Sequence, residues 1–171
     1  KFGGNGELKY VAAAESAGVG RALIGETLFS GLYLNELLTR LLPKFEAAPT
    51  LFAAYGNAIE IISTSSDPEL ALRRFELLLL EELGYQIQWQ LDCEEQPIEP
   101  SKDYGYHPER GFVISHSGDS SLLVSGVQLL ALCDWQVTGC AIDDICQSKL
   151  KGIMRLAIEQ RLGGRPLKVR E

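Results

Sequence analysis

Few residues in this chain are of types that make and break covalent bonds, and their spacing does not gather them. Four cysteines, Cys93, Cys133, Cys140 and Cys146, include no C-x-x-C pair, so the close ligand pairs of a structural zinc site are missing. His107 and His116 are the only histidines. A thiolate nucleophile needs an imidazole in reach, so a cysteine hydrolase would require Cys133 or Cys140 to meet His107 or His116 through the fold. Cys133 and Cys146 instead fall on apolar helical faces, where a thiol packs as a small hydrophobe. Asp143 and Asp144 suggest a carboxylate pair, but both sit where a helix begins and its dipole favours negative charge. Gly3, Gly4 and Gly6 spell no phosphate loop, and no Walker lysine follows them. The expectation is a protein that binds, with no catalytic residue, metal or cofactor.

Two groups of cations carry the binding chemistry. Arg73 and Arg74 are adjacent on a predicted helix. Helical spacing gives Arg73 two carboxylates, Glu69 four residues before and Glu76 three after. The corresponding neighbours of Arg74 are Leu70, Ala71, Leu77 and Leu78, none of them acidic. A guanidinium beside leucines suits a carboxylate joined to an apolar side chain, because its fork binds carboxylate through two parallel bonds. The competing reading pairs Arg74 with a distant acid or lets it reach solvent along its own stem.

The second group lies at the C-terminal end. The first 148 residues hold 9 basic and 21 acidic side chains, whereas the last 23 hold 7 and 2, against a net charge of −7 for the whole. Lys151 and Arg155 stand one turn apart on an outer helical face, and Arg161, Arg165, Lys168 and Arg170 follow. Such a local basic face suits phosphates or an acidic peptide. The pattern shows no aromatic platform there, which predicts backbone contact without base stacking. The alternative is a solvated helix end.

The elements that must hold these groups are mainly helical. Residues from Gly25 to about Leu42 are apolar around most of the helical circumference, which predicts a buried helix ending at Pro43. A second helix begins near Pro49, with Leu51, Phe52, Tyr55, Ile59 and Ile62 on its inner stripe and Ser63–Ser66 as the connection. The third has Asp67 as N-cap, Pro68 at the first position, a core stripe of Leu72, Phe75, Leu79 and Leu83, and Gly84 as terminator. Leucines off that stripe make it a central helix.

The period then shifts to two over Tyr85, Ile87, Trp89 and Leu91, which predicts a strand. Residues 92–110 read as a loop, Gly111–Ser115 and Leu122–Val124 as strands around a Gly118-Asp119 turn, and the set as a small antiparallel sheet within about 85–125. Ser125 caps a short helix through Leu132, and a longer one runs from Ile142 to Leu162. At the other end, residues 1–12 read as a turn and a short strand whose partners lie elsewhere. The fold class is therefore mainly α, a helical domain over 13–171 with a small antiparallel β appendage.

At 171 residues the chain supports one good core, or one core plus a small appendage, and beside 46% apolar residues its charged fraction of 23% is ordinary for a soluble globular protein. It holds neither an apolar run long enough to cross a membrane nor a secretory leader pattern. The expected setting is cytoplasmic and reducing. Lys1 at the start and Met154 as the sole methionine imply that the chain begins inside a longer protein.

Three stretches together resemble the RecO family of bacterial recombination mediators: LFSGLYLNELLTRLLP at 28–43, DPELALRRFELLLLEELGY at 67–85 and LGGRPLKVRE at 162–171. A strand at Gly6–Lys9 is similar to the end of that family's N-terminal oligonucleotide-binding barrel. The resemblance implies an upstream barrel, a helical body and a small β or zinc-containing module. It implies binding of single- and double-stranded DNA, strand annealing, and loading of RecA together with RecR and, in some members, RecF. It also implies that the helical body receives the acidic, apolar-tipped C-terminal tail of single-stranded-DNA-binding protein. Carried onto this chain, that receptor includes Arg73 and Arg74, beside which helical spacing sets Leu70 and Leu77, while the basic face read from charge, Lys151, Arg155, Arg161, Arg165, Lys168 and Arg170, is the expected DNA-binding set.

Two departures follow. Some members hold a four-cysteine zinc module after the central helix, but only Cys93 falls in that region here, so zinc is expected to be absent. The barrel is nearly all missing, and its DNA affinity cannot be credited to these residues. The alternative from another class is a helical adaptor that uses the same groove for an acidic peptide unrelated to repair.

Overall fold

The computed structural model describes residues 2–4, 10–15, 20, 22–65, 68–115 and 122–170. A two-residue pair, β1 (Phe2–Gly3) and β2 (Tyr10–Val11), opens the chain, followed by α1 (Glu26–Leu41), α2 (Pro49–Thr64) and α3 (Glu69–Glu82). A small sheet comes next, formed by β3 (Asp103–His107), β4 (Gly111–Ile114) and β5 (Leu123–Ser125). Then α4 (Gly126–Thr138), α5 (Asp144–Arg161) and a 3-10 turn, Lys168–Arg170, complete the fold. The sheet is antiparallel in the order β4-β3-β5. The protein is mainly α with a small β appendage, the class its sequence pattern predicts.

Helices α3 and α5 form the spine, because each buries side chains on two sides. Leu72, Phe75 and Leu79 of α3 and Ile158 of α5 join Leu34, Leu37, Leu51 and Ile62 in one apolar cluster with α1 and α2. Leu77 and Leu80 of α3 and Leu150, Ile153 and Met154 of α5 join Trp89, Tyr104, Phe112 and Trp135 in another. Each fully buried side chain of this size contributes roughly 1.5–3 kcal/mol. Two clusters sharing two helices fix the β appendage against the helical body.

Local signals explain the helix ends. The Ser125 hydroxyl accepts from the Gln128 amide while the Gln128 side chain accepts from the Ser125 backbone, a reciprocal cap that starts α4. Asp143 does the same task alone for α5 by accepting from Cys146 N. A Cβ at Gly126 would stand 2.0 Å from the Glu99 carbonyl oxygen, so only glycine lets α4 begin against the 99–100 backbone.

The structure corrects several expectations. Residues 85–90 form no strand, and only Leu91 makes an isolated bridge, to Pro97. Ile87 and Trp89 are nevertheless buried with exposed glutamines between them, so the period of two records burial and not pairing. The sheet's central strand, β3, lies inside the stretch read as a loop, with Tyr104 and Tyr106 buried. Helix α1 is not buried all round: Leu28, Phe29 and Leu32 are exposed, as is Phe52 of α2. Ser63 and Thr64 belong to α2 rather than to the connection, and α4 runs six residues past the expected Leu132. The expected strand at Gly6–Lys9, the Asp67 cap, His116 and the Gly118-Asp119 turn lie outside the described residues.

Candidate functional site

Helix α3 sends its two arginines into different surroundings. Arg73 is 4% exposed and its Nη1 lies 2.8 Å from Glu76 Oε2, whose own side chain is fully buried. The Tyr33 hydroxyl donates to Glu76 Oε1, and Glu69 stands 3.8 Å from Arg73 Nη2. These are the two carboxylates the spacing assigns. Arg73 Nε has no hydrogen-bond acceptor among the described residues, so attraction of charge rather than a full set of hydrogen bonds holds the guanidinium.

Arg74 is exposed and makes no ion pair or hydrogen bond among the described residues. Its guanidinium lies over Trp135, 5.2 Å from the ring centroid, at the last turn of α4. Gly139 closes that helix at φ 75°, and a Cβ there would come within 2.9 Å of Arg74 Nη2. The positive side chain thus rests on an aromatic face and beside the negative end of a helix, which orients it without neutralising it.

Arg74 lines a groove of about 440 Å³ between α2 and α3. Leu77, Leu78, Phe75, Ala54 and Ile61 supply apolar walls, Gln136 and Asn57 supply neutral polar ones, and Glu81 brings a carboxylate to the same rim as Arg74. Of the four residues expected to receive a peptide, Arg74 and Leu77 meet here. Arg73 and Leu70 do not: both line a cleft next to Lys151 and Ser148, because α3 turns them toward α5. A groove of this kind can seat an extended segment that combines apolar side chains with a carboxylate.

The C-terminal cations divide. Lys151 and Arg155 line a cleft of about 610 Å³ with Phe29 and Tyr33 of α1 and Arg73 of α3. Lys151 Nζ lies 2.9 Å from Glu69 Oε1, and Arg155 Nε 3.9 Å from Glu159 Oε1. Both pairs are exposed and weak enough to exchange for phosphate. Arg161 belongs to another crevice, where its Cζ lies 3.7 Å above the Tyr85 ring centroid and Arg110 is a further cation. An aromatic partner therefore does stand beside one of these cations, contrary to the expectation from the tail's own composition. Tyr85 is 76 residues upstream, so spacing within the tail could not reveal it.

Arg165 and Lys168 are exposed, and Arg170 ends the 3-10 turn. Their segment is bracketed by α1. Arg40 Nη1 donates to the carbonyls of Arg165 and Pro166, and the Glu36 carboxylate accepts the amides of Lys168 and Val169. The lowered pKa of Glu36 follows first from the Lys168 amide bond, then from the Val169 amide and the Arg40 charge, against an opposing desolvation. Glu36 and Arg40 are also 2.9 Å apart. Their i,i+4 spacing was the available signal, although it does not announce a role in holding the tail.

Cys133 and Cys146 are buried and Cys140 is exposed. Burial, then the hydrogen bond to Asp143, pushes the Cys146 thiol up to about 11. His107 forms no hydrogen bond with a cysteine among the described residues, and none of those residues group as three potential metal ligands. Nor is any described helix long and apolar enough to cross a membrane.

Comparison with known proteins agrees over nearly the whole length. Residues 25–171 match the family described as recombination protein O C terminal. A DNA repair protein RecO of Pseudomonas paraeruginosa is 42% identical over 170 residues, covering 98% of this chain and 70% of the relative. Proteins of the same name from Methylococcus capsulatus and Vibrio cholerae are 41% and 38% identical over 173 residues, and the chain covers 68% and 69% of them.

Proposed function

The chain belongs to the RecO family, and we propose that it serves DNA repair and recombination by binding, as the receptor for the C-terminal tail of single-stranded-DNA-binding protein. In this reading the tail's apolar side chains enter the groove between α2 and α3, and its terminal carboxylate meets Arg74. Lys151 and Arg155, with Arg161, Arg165, Lys168 and Arg170, contribute contacts to DNA phosphates. Together the two functions bring coated single strands to the protein, promote annealing, and allow RecA to load with RecR and, where it takes part, RecF. The protein carries no chemistry of its own in this role and works in the cytoplasm.

The observation that carries the reading is Arg74: an exposed guanidinium without a carboxylate partner among the described residues, set in a leucine-lined groove. Arg73 supports the site from within the helix, since its charge is committed to Glu76. The test is titration of an acidic, apolar-ended peptide into the protein. Arg74→Glu is expected to weaken binding at least ten-fold, the scale of a charge-assisted hydrogen bond turned into repulsion. Unchanged affinity would remove the proposed receptor.

A further inference from the structure

We infer that Gln136 is a specificity-determining residue of this groove, a second donor that reads the ligand's terminal carboxylate, and that Trp89 is the residue that positions it. The inference rests on the groove's being the tail receptor and adds to it the means of selecting a free chain end.

The argument starts from hydrogen-bond inventory. An indole N–H can only donate, whereas a carboxamide presents one acceptor and two donors on opposite sides. Trp89 Nε1 donates to Gln136 Oε1. That bond settles which way the amide faces, because the reversed rotamer would set two donors against each other. With its oxygen occupied, Gln136 keeps its amino group as the polar function available to the groove, and Gln136 lines that groove together with Arg74. Arg74 and Gln136 thus bring anchored N–H groups to one trough, which Asn57 and the exposed Glu81 carboxylate also line. A carboxylate has lone pairs for both.

The anchor is rigid. Trp89 is 4% exposed and its ring is 5.8 Å from that of Phe112, so the indole cannot swing away from its partner. Gln136 follows directly after Trp135, on which the Arg74 guanidinium rests. One turn of α4 therefore orients both donors, Arg74 through an aromatic face and Gln136 through a buried indole. Asn57, across the groove on α2, has no comparable anchor among the described residues. The arrangement also gives the β appendage a part in recognition, since Trp89 precedes β3 and packs with β4.

The test uses the full chain and two synthetic peptides of one acidic, apolar-ended sequence, one with a free C-terminal carboxylate and one amidated. Gln136→Met keeps the length of the side chain and removes its donors. It should weaken the free-acid peptide on the order of ten-fold and leave the amidated peptide unchanged. Trp89→Phe keeps an apolar ring and removes the N–H, so it should weaken the free-acid peptide by about three-fold, with thermal melting confirming the fold. If Gln136→Met binds both peptides as the unsubstituted chain does while Arg74→Glu does not, this inference fails and the receptor stands. Equal loss for both peptides also overturns it, since the contact would then lie elsewhere on the ligand. If Arg74→Glu binds normally as well, the receptor itself is wrong.

Discussion

Arg73 and Arg74 are consecutive on α3, yet the first is sealed against Glu76 and the second stands exposed over Trp135. One step of about 100° around a helix separates a buried, paired charge from an exposed one. Their substitutions should therefore separate cleanly. Arg73→Met takes the counter-ion from the buried Glu76 carboxylate and should cost about 3–5 kcal/mol in chemical denaturation. Arg74→Ala removes only an exposed contact with an aromatic ring and should cost about 1 kcal/mol or less. Equal stability losses for the two would contradict this division.

The cleft cations lead to a salt-dependence prediction. Among the described residues, Lys151 and Arg155 each hold an exposed acid partner, which a phosphate can replace. The double substitution Lys151→Glu with Arg155→Glu should lower DNA affinity. It should also make the plot of log affinity against log salt less steep by roughly two units, about 0.9 per lost phosphate contact. An unaltered slope, measured by fluorescence anisotropy, would show that these side chains do not touch DNA. Arg161→Ala tests the other crevice by the same assay, and its larger expected effect on single than on double strands would reflect Tyr85.

How far the sequence reveals these arrangements depends on range. The Ser125 cap of α4 and the Arg73 ion pairs are set by neighbours three or four residues away, so spacing alone finds them, whereas the far ends of α2 and α4 escaped it. The strand β3 was hidden because only two tyrosines alternate in an otherwise polar stretch, and its stability comes from two flanking partners. The reverse error at Tyr85–Leu91 arose because a loop crossing an apolar core can alternate in burial without pairing. Trp135 under Arg74, Tyr85 under Arg161 and Trp89 on Gln136 are contacts across 61, 76 and 47 residues, and nothing local encodes them.

The Glu36 bracket should respond to acid. Its folded pKa lies below the ordinary 4.5, so the bracket's contribution is present above that value and is lost as pH falls through the depressed one. Protonation takes away the charge that the Lys168 and Val169 amides stabilise. Hydrogen exchange at those two amides should therefore lose protection on acidification before the amides of α3 do. Glu36→Gln should show the weakened protection already at neutral pH, with little change in the rest of the chain. Acid-insensitive protection at Lys168 would mean that the tail is held by Arg40 alone.

Thiol labelling checks the reading that the cysteines are structural. Only the thiolate attacks an electrophile, and its supply depends on both pKa and access. Cys146 is buried with its thiol raised to about 11, which leaves roughly one part in ten thousand as thiolate near neutral pH. Cys133 is enclosed in the same apolar cluster, whereas Cys140 is exposed beyond the end of α4. An alkylating reagent should therefore modify Cys140 first in the native protein and reach Cys133 and Cys146 only in denaturant, as peptide mass mapping would show. Rapid native labelling of Cys133, or loss of peptide and DNA binding on modification of Cys140 alone, would overturn that reading and give a thiol a functional place.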